Sequence, residues 1–507
     1  MTDTRIILPI VVHLIIAIVL IFSWRKVIAQ RVISVLGNLV MVSISAALFA
    51  HVWRSGSILT MQAGNWEAPF GITLVADVFS SIMVLLASLS GLAVSIFSTA
   101  GISEARIKYG YFPILHLLLM GLNGAFLTGD IFNLYVWFEI IIIASFVLMT
   151  LGGKKPQIEG AINYVVMNLL ASVIFLTAIA ILYGLTGSLN MADLSLKMAL
   201  IENRGLVHVT ALMFFVAFGI KSAVFPLYFW LPSSYHTPPS AIGAIFGGLL
   251  TKVGIYALLR VFTIIFIPSP FMSQVLAVVA IMTLLTGSFG VFIQRDLRKM
   301  FSYLIVCHIG YMIAGISMYT TIALTGALFY LIHDIIIKTN LFLVGGVIHK
   351  IKGTLSLDSL GGMYSGYPKL SLLMAVVLFS LVGIPPLSGF WPKIYFFEAG
   401  FNTDSYLLML AIIVASIMTL FVVGRLWVEV FWQEIPLKGI AKRDLFKEMS
   451  LQGKSLLVIP VLLLAIVSLY IGFFAENIIA VSSQIADELI DTSFYIEAVL
   501  GPEDTRP

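Results

Sequence analysis

The sequence predicts an all-α polytopic membrane protein of about 14 transmembrane helices, and three observations carry that prediction. Sixty per cent of its 507 residues are hydrophobic, 11% are charged, and the mean hydropathy is +1.06. A soluble domain carries roughly a quarter charged residues, so this composition excludes one. Apolar runs of about 20 residues, the length that crosses hydrocarbon, recur along the chain. Basic residues gather in alternate loops, as the positive-inside rule requires.

The first run, IILPIVVHLIIAIVLIF, is long enough to span and is followed by Arg25 and Lys26 with no A-x-A pattern, so it reads as a retained first helix. The expected spans are 6–23, 32–53, 74–98, 110–128, 131–151, 161–186, 208–231, 239–264, 273–293, 301–318, 321–346, 371–400, 405–432 and 455–474. Their continuous apolarity, without alternation, excludes a β-barrel. Placing the first loop in the cytoplasm puts Arg25, Lys26, Arg31, Arg106, Lys108, Lys154, Lys155, Arg295, Arg298 and Lys299 inside. Lys350, Lys352, Lys369, Lys438, Lys442, Arg443, Lys447 and Lys454 join them, about 18 in all. About six (Arg5, Arg54, Lys197, Arg204, Arg260 and Arg506) fall outside, with both termini. Residues 475–497 mix apolar positions with Glu476, Asp487, Glu488 and Asp491. They read as an amphipathic helix on the outer surface or against a partner chain, or as a solvated tail.

Several chemistries are absent. The net charge of +4 lies mostly in loops and does not suggest nucleic acid. A single cysteine, Cys307, excludes disulfides and a cysteine-ligated cluster within the chain and reads as a packing residue. Gly453–Ser455 resembles the end of a phosphate loop, but Glu448 stands where its first glycine belongs. No zincin motif or dinucleotide fingerprint occurs, and no cofactor is expected. Trp53, Trp66, Trp230 and Trp391 fit interfacial or packing roles.

Charge inside the spans is the informative feature. Lys221, Lys252, Lys338, Lys393 and Arg425 fall within them, with Glu139 in the fifth and His308, His333 and Asp334 in the tenth and eleventh. Four lysines in hydrocarbon cost roughly 10 kcal/mol unless polar partners or water receive them. Such residues mark ion paths and proton relays, with helix–helix ion pairing or snorkelling as the bland alternative. For Arg425 and Glu429, one turn apart, ion pairing is the expected reading. A Glu–Lys pair can gate a proton, because approach holds it and separation releases it. Glu139 and Lys221 are the candidate pair, and histidine supplies a second carrier.

The prolines add a structural device. In FGIKSAVFPLYFWLP (Phe218–Pro232), Pro226 removes a backbone bond and clashes with the Ser222 carbonyl, which predicts a break in the seventh span. LVGIPPLSGFWPK repeats the device with Pro385 and Pro386, followed by Lys393. Broken helices are tolerated only beside protein or a wet cavity, and a matched pair points to an inverted-repeat transporter.

These stretches, together with FPLYFWLPSSYHTPPSAIGAIFGGLLTKVGIYALLR, RDLRKMFSYLIVCHIGYM and HDIIIKTNLFLVGG, resemble the antiporter-like membrane subunits of respiratory complex I and of Mrp-type sodium/proton antiporters. PSSYHTPPSA and the lysine at Lys393 resemble the D-type members of the Mrp assemblies most. The resemblance implies two inverted five-helix repeats, at 110–264 and 265–432, after three helices in 1–109 and before a final helix and external segment in 433–507. It implies a proton relay of Glu139, Lys221, Lys252, His333, Lys338 and Lys393, with His308 beside it. It also implies the A, B, C, E, F and G members of the Mrp assembly as partners, in a bacterial cytoplasmic membrane. The assembly would exchange cytoplasmic sodium for external protons. A pump module of a redox-driven complex I-like or membrane-bound hydrogenase assembly is the alternative, and a scaffold whose lysines only pair helices is a third.

Overall fold

Uncharged apolar runs become helices because hydrocarbon offers no other partner to backbone amides and carbonyls. The computed structural model describes residues 3–434 and 444–502. In chain order its main helices are α1 (Leu8–Phe22), α2 (Val27–Ser55), α3 (Val78–Gly101), α4 (Tyr111–Leu127), α5 (Ile131–Thr150) and α6 (Lys155–Thr186). They continue as α7 (leading half Arg204–Ser222), α8 (Ser240–Ile265), α9 (Pro270–Ile293), α10 (Leu297–Met318) and α11 (Thr321–Lys352). Then come α12 (leading half Pro368–Val382, trailing half Trp391–Asn402), α13 (Tyr406–Trp432) and α14 (Leu451–Phe473). Among the described residues, twelve helices are long and apolar enough to cross a membrane; α4 and the leading half of α12 are shorter apolar helices at the remaining expected positions. The strands β1 (Leu59–Gln62) and β2 (Thr73–Ala76) form one antiparallel hairpin between α2 and α3. Lys438, Lys442, Arg443 and Arg506 lie outside the described residues.

The helices divide by what they face. The most apolar windows of α8 and α11 are wholly enclosed, and that of α10 nearly so, whereas α1, α2, α6 and α9 leave most of theirs outside the interior of the chain. The enclosed helices carry Lys252, His308, His333 and Lys338, so polar residues in the spans avoid hydrocarbon by sitting at the bundle centre. Small residues let α8 fit there. A Cβ on Gly248 would overlap Thr339 Oγ1 of α11, and one on Gly254 would overlap Ser222 Oγ at the end of α7. Gly254→Ala is therefore expected to push α8 off the α7 break and cost about 1–3 kcal/mol. A lowered thermal midpoint of the purified assembly, against a Gly424→Ala control in open space, checks this.

Both breaks occur where the prolines predict. The leading half of α7 stops at Ser222, and Ala223 turns left-handed at φ +61. The leading half of α12 stops at Val382, and Gly383 does the same at φ +81. Matching backbone bonds close the turns: Val224 N–H to Gly219 O (3.0 Å) and Ile384 N–H to Phe379 O (3.3 Å). Each loop is then pinned by an indole, Trp230 Nε1 donating to Ile220 O (3.0 Å) and Trp391 Nε1 to Gly472 O (2.8 Å). These two tryptophans do more than pack or mark the interface: they satisfy carbonyls at helix ends.

A second feature recurs. Asp130 caps α5 through Asn133 N–H (2.6 Å) and bridges to Asn190, just past the left-handed Gly187 that ends α6. Asp296 caps α10 through Arg298 N–H (3.0 Å) and bridges to Ser356, just past the left-handed Gly353 that ends α11.

After α14 the described residues are mostly helical, which replaces the solvated-tail reading for 475–497. Helix α15 (Ala475–Ile490) turns Val481, Ile485, Ala486 and Leu489 inward against its own chain, chiefly α11, and α16 (Ser493–Leu500) follows. Gly453–Ser455 forms part of the first turns of α14. Arg425 Nε contacts Glu429 Oε1 at 2.9 Å, the ion pair expected from their spacing.

Glu488 on α15 sits near the buried Asp77–Arg260 pair, and burial pushes its carboxyl up to about 7. A carboxyl raised on folding stabilises docking fully below its unfolded value of about 4.3 and loses that contribution as pH rises through about 7. Hydrogen exchange across 475–500 should therefore speed up between about pH 4 and 7, apart from the intrinsic rate, and Glu488→Gln should flatten that change.

Candidate functional site

Lys221 lies in the last turn of the leading half of α7 and is 4% exposed. Its Nζ donates to Ser172 Oγ on α6 at 3.3 Å and stands 4.6 Å from the centre of the Phe138 ring on α5. Glu139 follows Phe138, half-buried, with Oε1 enclosed and without a hydrogen-bond partner. Glu139 and Lys221 lie near each other, but no ion pair within 4.0 Å joins them, so the structure does not form the close pair expected from the sequence.

Lys252 follows a π turn, Phe246–Leu250, in α8. Such wide turns occur often at functional sites, because they displace a carbonyl from the regular ladder. Lys252 Nζ donates to Gly247 O inside that turn at 2.6 Å and pairs with Asp334 Oδ2 of α11 at 2.8 Å. The other carboxylate oxygen, Oδ1, lies 2.6 Å from His308 Nδ1 on α10 and 3.7 Å from Lys338 Nζ one turn along α11. None of these four side chains exceeds 1% exposure. One carboxylate thus faces three bases from three helices.

His333, the neighbour of Asp334, points elsewhere. Its Nδ1 meets Ser388 Oγ in the α12 break at 2.8 Å, and Ser388 continues to Ser468 on α14 at 3.1 Å. Tyr330 and Tyr311, stacked with centroids 4.8 Å apart, stand between His308 and the far lysine. That lysine, Lys393, begins the trailing half of α12; its Nζ donates to Val382 O at 2.7 Å and lies 5.6 Å from the Tyr311 ring centre.

The reversed order of lysine and break now has a physical account. Lys221 precedes its break and Lys393 follows its own, yet both side chains belong to the C-terminal end of a leading half-helix. That end carries released carbonyls and the negative pole of the helix, which favour a cation. Beside the α7 break a cleft of about 420 Å³ is lined by Glu159, Asn163, His236, Gln294 and Lys299. Its lining reaches the segment that follows the break at Phe229, Pro232 and Ser233.

A family described as NADH:quinone oxidoreductase/Mrp antiporter, TM matches residues 128–419, which hold every charged or histidine residue of this site. The D-type component of the Na(+)/H(+) antiporter of Alkalihalophilus pseudofirmus is 42% identical, covering 98% of this chain and 99% of that one. Its namesake from Bacillus subtilis is 39% identical over the same shares. In three dimensions a chain of the Mrp complex from Dietzia sp. matches with a TM-score of 0.90 and 29% identity, over 98% of this chain and 99% of its own. This chain belongs to the D-type family of Mrp sodium/proton antiporter components. A chain of respiratory complex I from Thermus thermophilus, at 22% identity and a TM-score of 0.79 over 96% of this chain and 100% of its own, shares the fold.

Within this D-type Mrp chain the structure gathers Lys252, His308 and Lys338, while Glu139 with Lys221, His333 and Lys393 stand at three further stations. Asp334 is the residue to which sequence reasoning assigns no role of its own. Its signal is nonetheless present: it is the carboxylate of an enclosed span, one helical turn before Lys338, where i and i+4 side chains meet.

Proposed function

We propose that this chain is the proton-translocating component of a multisubunit Na⁺/H⁺ antiporter in a bacterial cytoplasmic membrane. Its proposed neighbours are the A, B, C, E, F and G members of the Mrp assembly. The observation that carries the reading is Asp334, fully enclosed and facing Lys252, His308 and Lys338. An uncompensated charge in this interior costs several kcal/mol, which holds the net charge of the cluster close to zero. With Asp334 ionised and His308 neutral, one excess proton satisfies the cluster, and Lys252 and Lys338 compete for it. A proton arriving on one lysine therefore displaces one from the other, which is the elementary step of a relay.

Glu139 modulates Lys221, which exchanges protons with Lys252. Lys338 passes them through His333 and the aromatic wall to Lys393. The broken helices hydrate the two ends. The recurring caps at Asp130 and Asp296 and the matching breaks support two inverted repeats, 110–264 and 265–432. The basic-residue bias supports both termini outside. External protons then move inward as cytoplasmic sodium leaves, driven by the proton-motive force.

Inside-out vesicles containing the complete assembly, energised by ATP with electron transport blocked, test this. Adding sodium should collapse the pH gradient reported by a dye. A correctly assembled complex that ignores sodium would contradict the antiporter reading and favour a redox-driven pump.

A further inference from the structure

Where α2, α3 and α14 begin or end at one membrane surface, they enclose a groove of about 610 Å³ far from the relay. Ile28, Val32 and Leu36 form one apolar stripe of α2 along it, and Leu456 of α14 faces them. The stripe continues into the lipid-exposed surface, with Ile28 75% and Leu36 56% exposed. In this apolar wall stands Arg31. Its Nε is shut off from solvent without a hydrogen-bond partner, and among the described residues Arg31 makes no ion pair. Ser450, Gln452 and Gly453 at the start of the 23-residue α14 line the same end, so the positive pole of that helix adds to the guanidinium.

We propose that this groove binds an anionic phospholipid. The phosphate would sit between Arg31 and the start of α14, and an acyl chain would lie along Val32, Val35 and Leu36. Three features select this occupant. Arg31 is a part-buried guanidinium lining the groove without an ion-pair partner among the described residues, and a phosphate matches its fork. The apolar stripe opening to lipid favours a phosphate that carries hydrocarbon over a soluble one. Arg25 and Lys26, just before α2, and Lys454, in the first turns of α14, belong to the same helix starts and favour a net negative headgroup over a zwitterionic one. The site bears on transport through α14, because that helix backs the second break: Gly472 O receives Trp391, Ser468 meets Ser388, and Val461 O receives Asn340 of α11.

The experiment uses the complete purified assembly, comparing wild type with Arg31→Gln and with Val35→Trp, which fills the groove. Phosphatidylglycerol and phosphatidylcholine are titrated while native mass spectrometry counts bound lipid and thermal unfolding reports stability. One phosphatidylglycerol retained by wild type, bound about fivefold more weakly by Arg31→Gln and lost from Val35→Trp, is the expected result. Equal binding by all three proteins would overturn the proposal. So would equal retention of phosphatidylcholine by wild type, protection by inorganic phosphate alone, or a helix of another protein of the assembly filling the groove.

Discussion

Lys221→Ala is expected to lower sodium-linked proton flux by roughly a hundredfold or more, the lower range for removing a positioned acid–base group, while the assembly stays intact. The side chain is buried, but its polar contacts are few: one 3.3 Å bond to Ser172 and the Phe138 face. Its removal deletes a cation without stranding a tightly paired anion, since Glu139 is not in contact with it. Helix packing should therefore survive, and Lys221→Arg should not restore transport because guanidinium keeps its proton. Proton uptake in proteoliposomes, normalised to assembled complex, measures this; flux within about a factor of two of wild type would remove Lys221 from the path.

Asp334→Ala should have the opposite balance of effects. It strands Lys252, and with it Lys338 and His308, in an interior where Asp334 is their carboxylate partner. Breaking one side of a buried ion pair costs about 3–5 kcal/mol, so the purified assembly should melt earlier and its yield should fall. Transport per assembled complex should also drop, because no anion remains over which the two lysines compete. Asp334→Asn keeps the shape and should rescue part of the stability but not the flux. A variant that transports normally despite lost stability would make Asp334 a packing ion.

Much of this arrangement is legible in the residues. Charge at Lys221, Lys252, Lys338 and Lys393 inside apolar runs marks the axis from the sequence alone, because hydrocarbon tolerates such groups only for a reason. Pro226 and Pro385–Pro386 locate both breaks to within a few residues, since ring geometry forbids the helix from continuing. Pairing is not legible. Glu139 and Lys221 look like natural partners in sequence, yet the close ion pairs of the enclosed helices form at Asp334 and between Arg260 and Asp77, because which helix faces meet depends on crossing geometry. Gly248 and Gly254 set that geometry, and a glycine in a span announces close approach without naming its neighbour. The roles of Trp230 and Trp391 are hidden for the same reason: each satisfies a carbonyl on a segment that only the folded break brings near.

The central claim is that the buried cluster carries protons and does not merely hold helices together. The most direct test is the double variant Lys252→Met/Asp334→Leu, which replaces the central pair with hydrophobic residues. Exchanging a buried ion pair for packed apolar side chains is often neutral or stabilising. The account predicts an assembly that regains the stability lost in Asp334→Ala but shows no sodium-driven proton flux in proteoliposomes. Stability and flux both returning to wild-type values would contradict it and leave the cluster a scaffold.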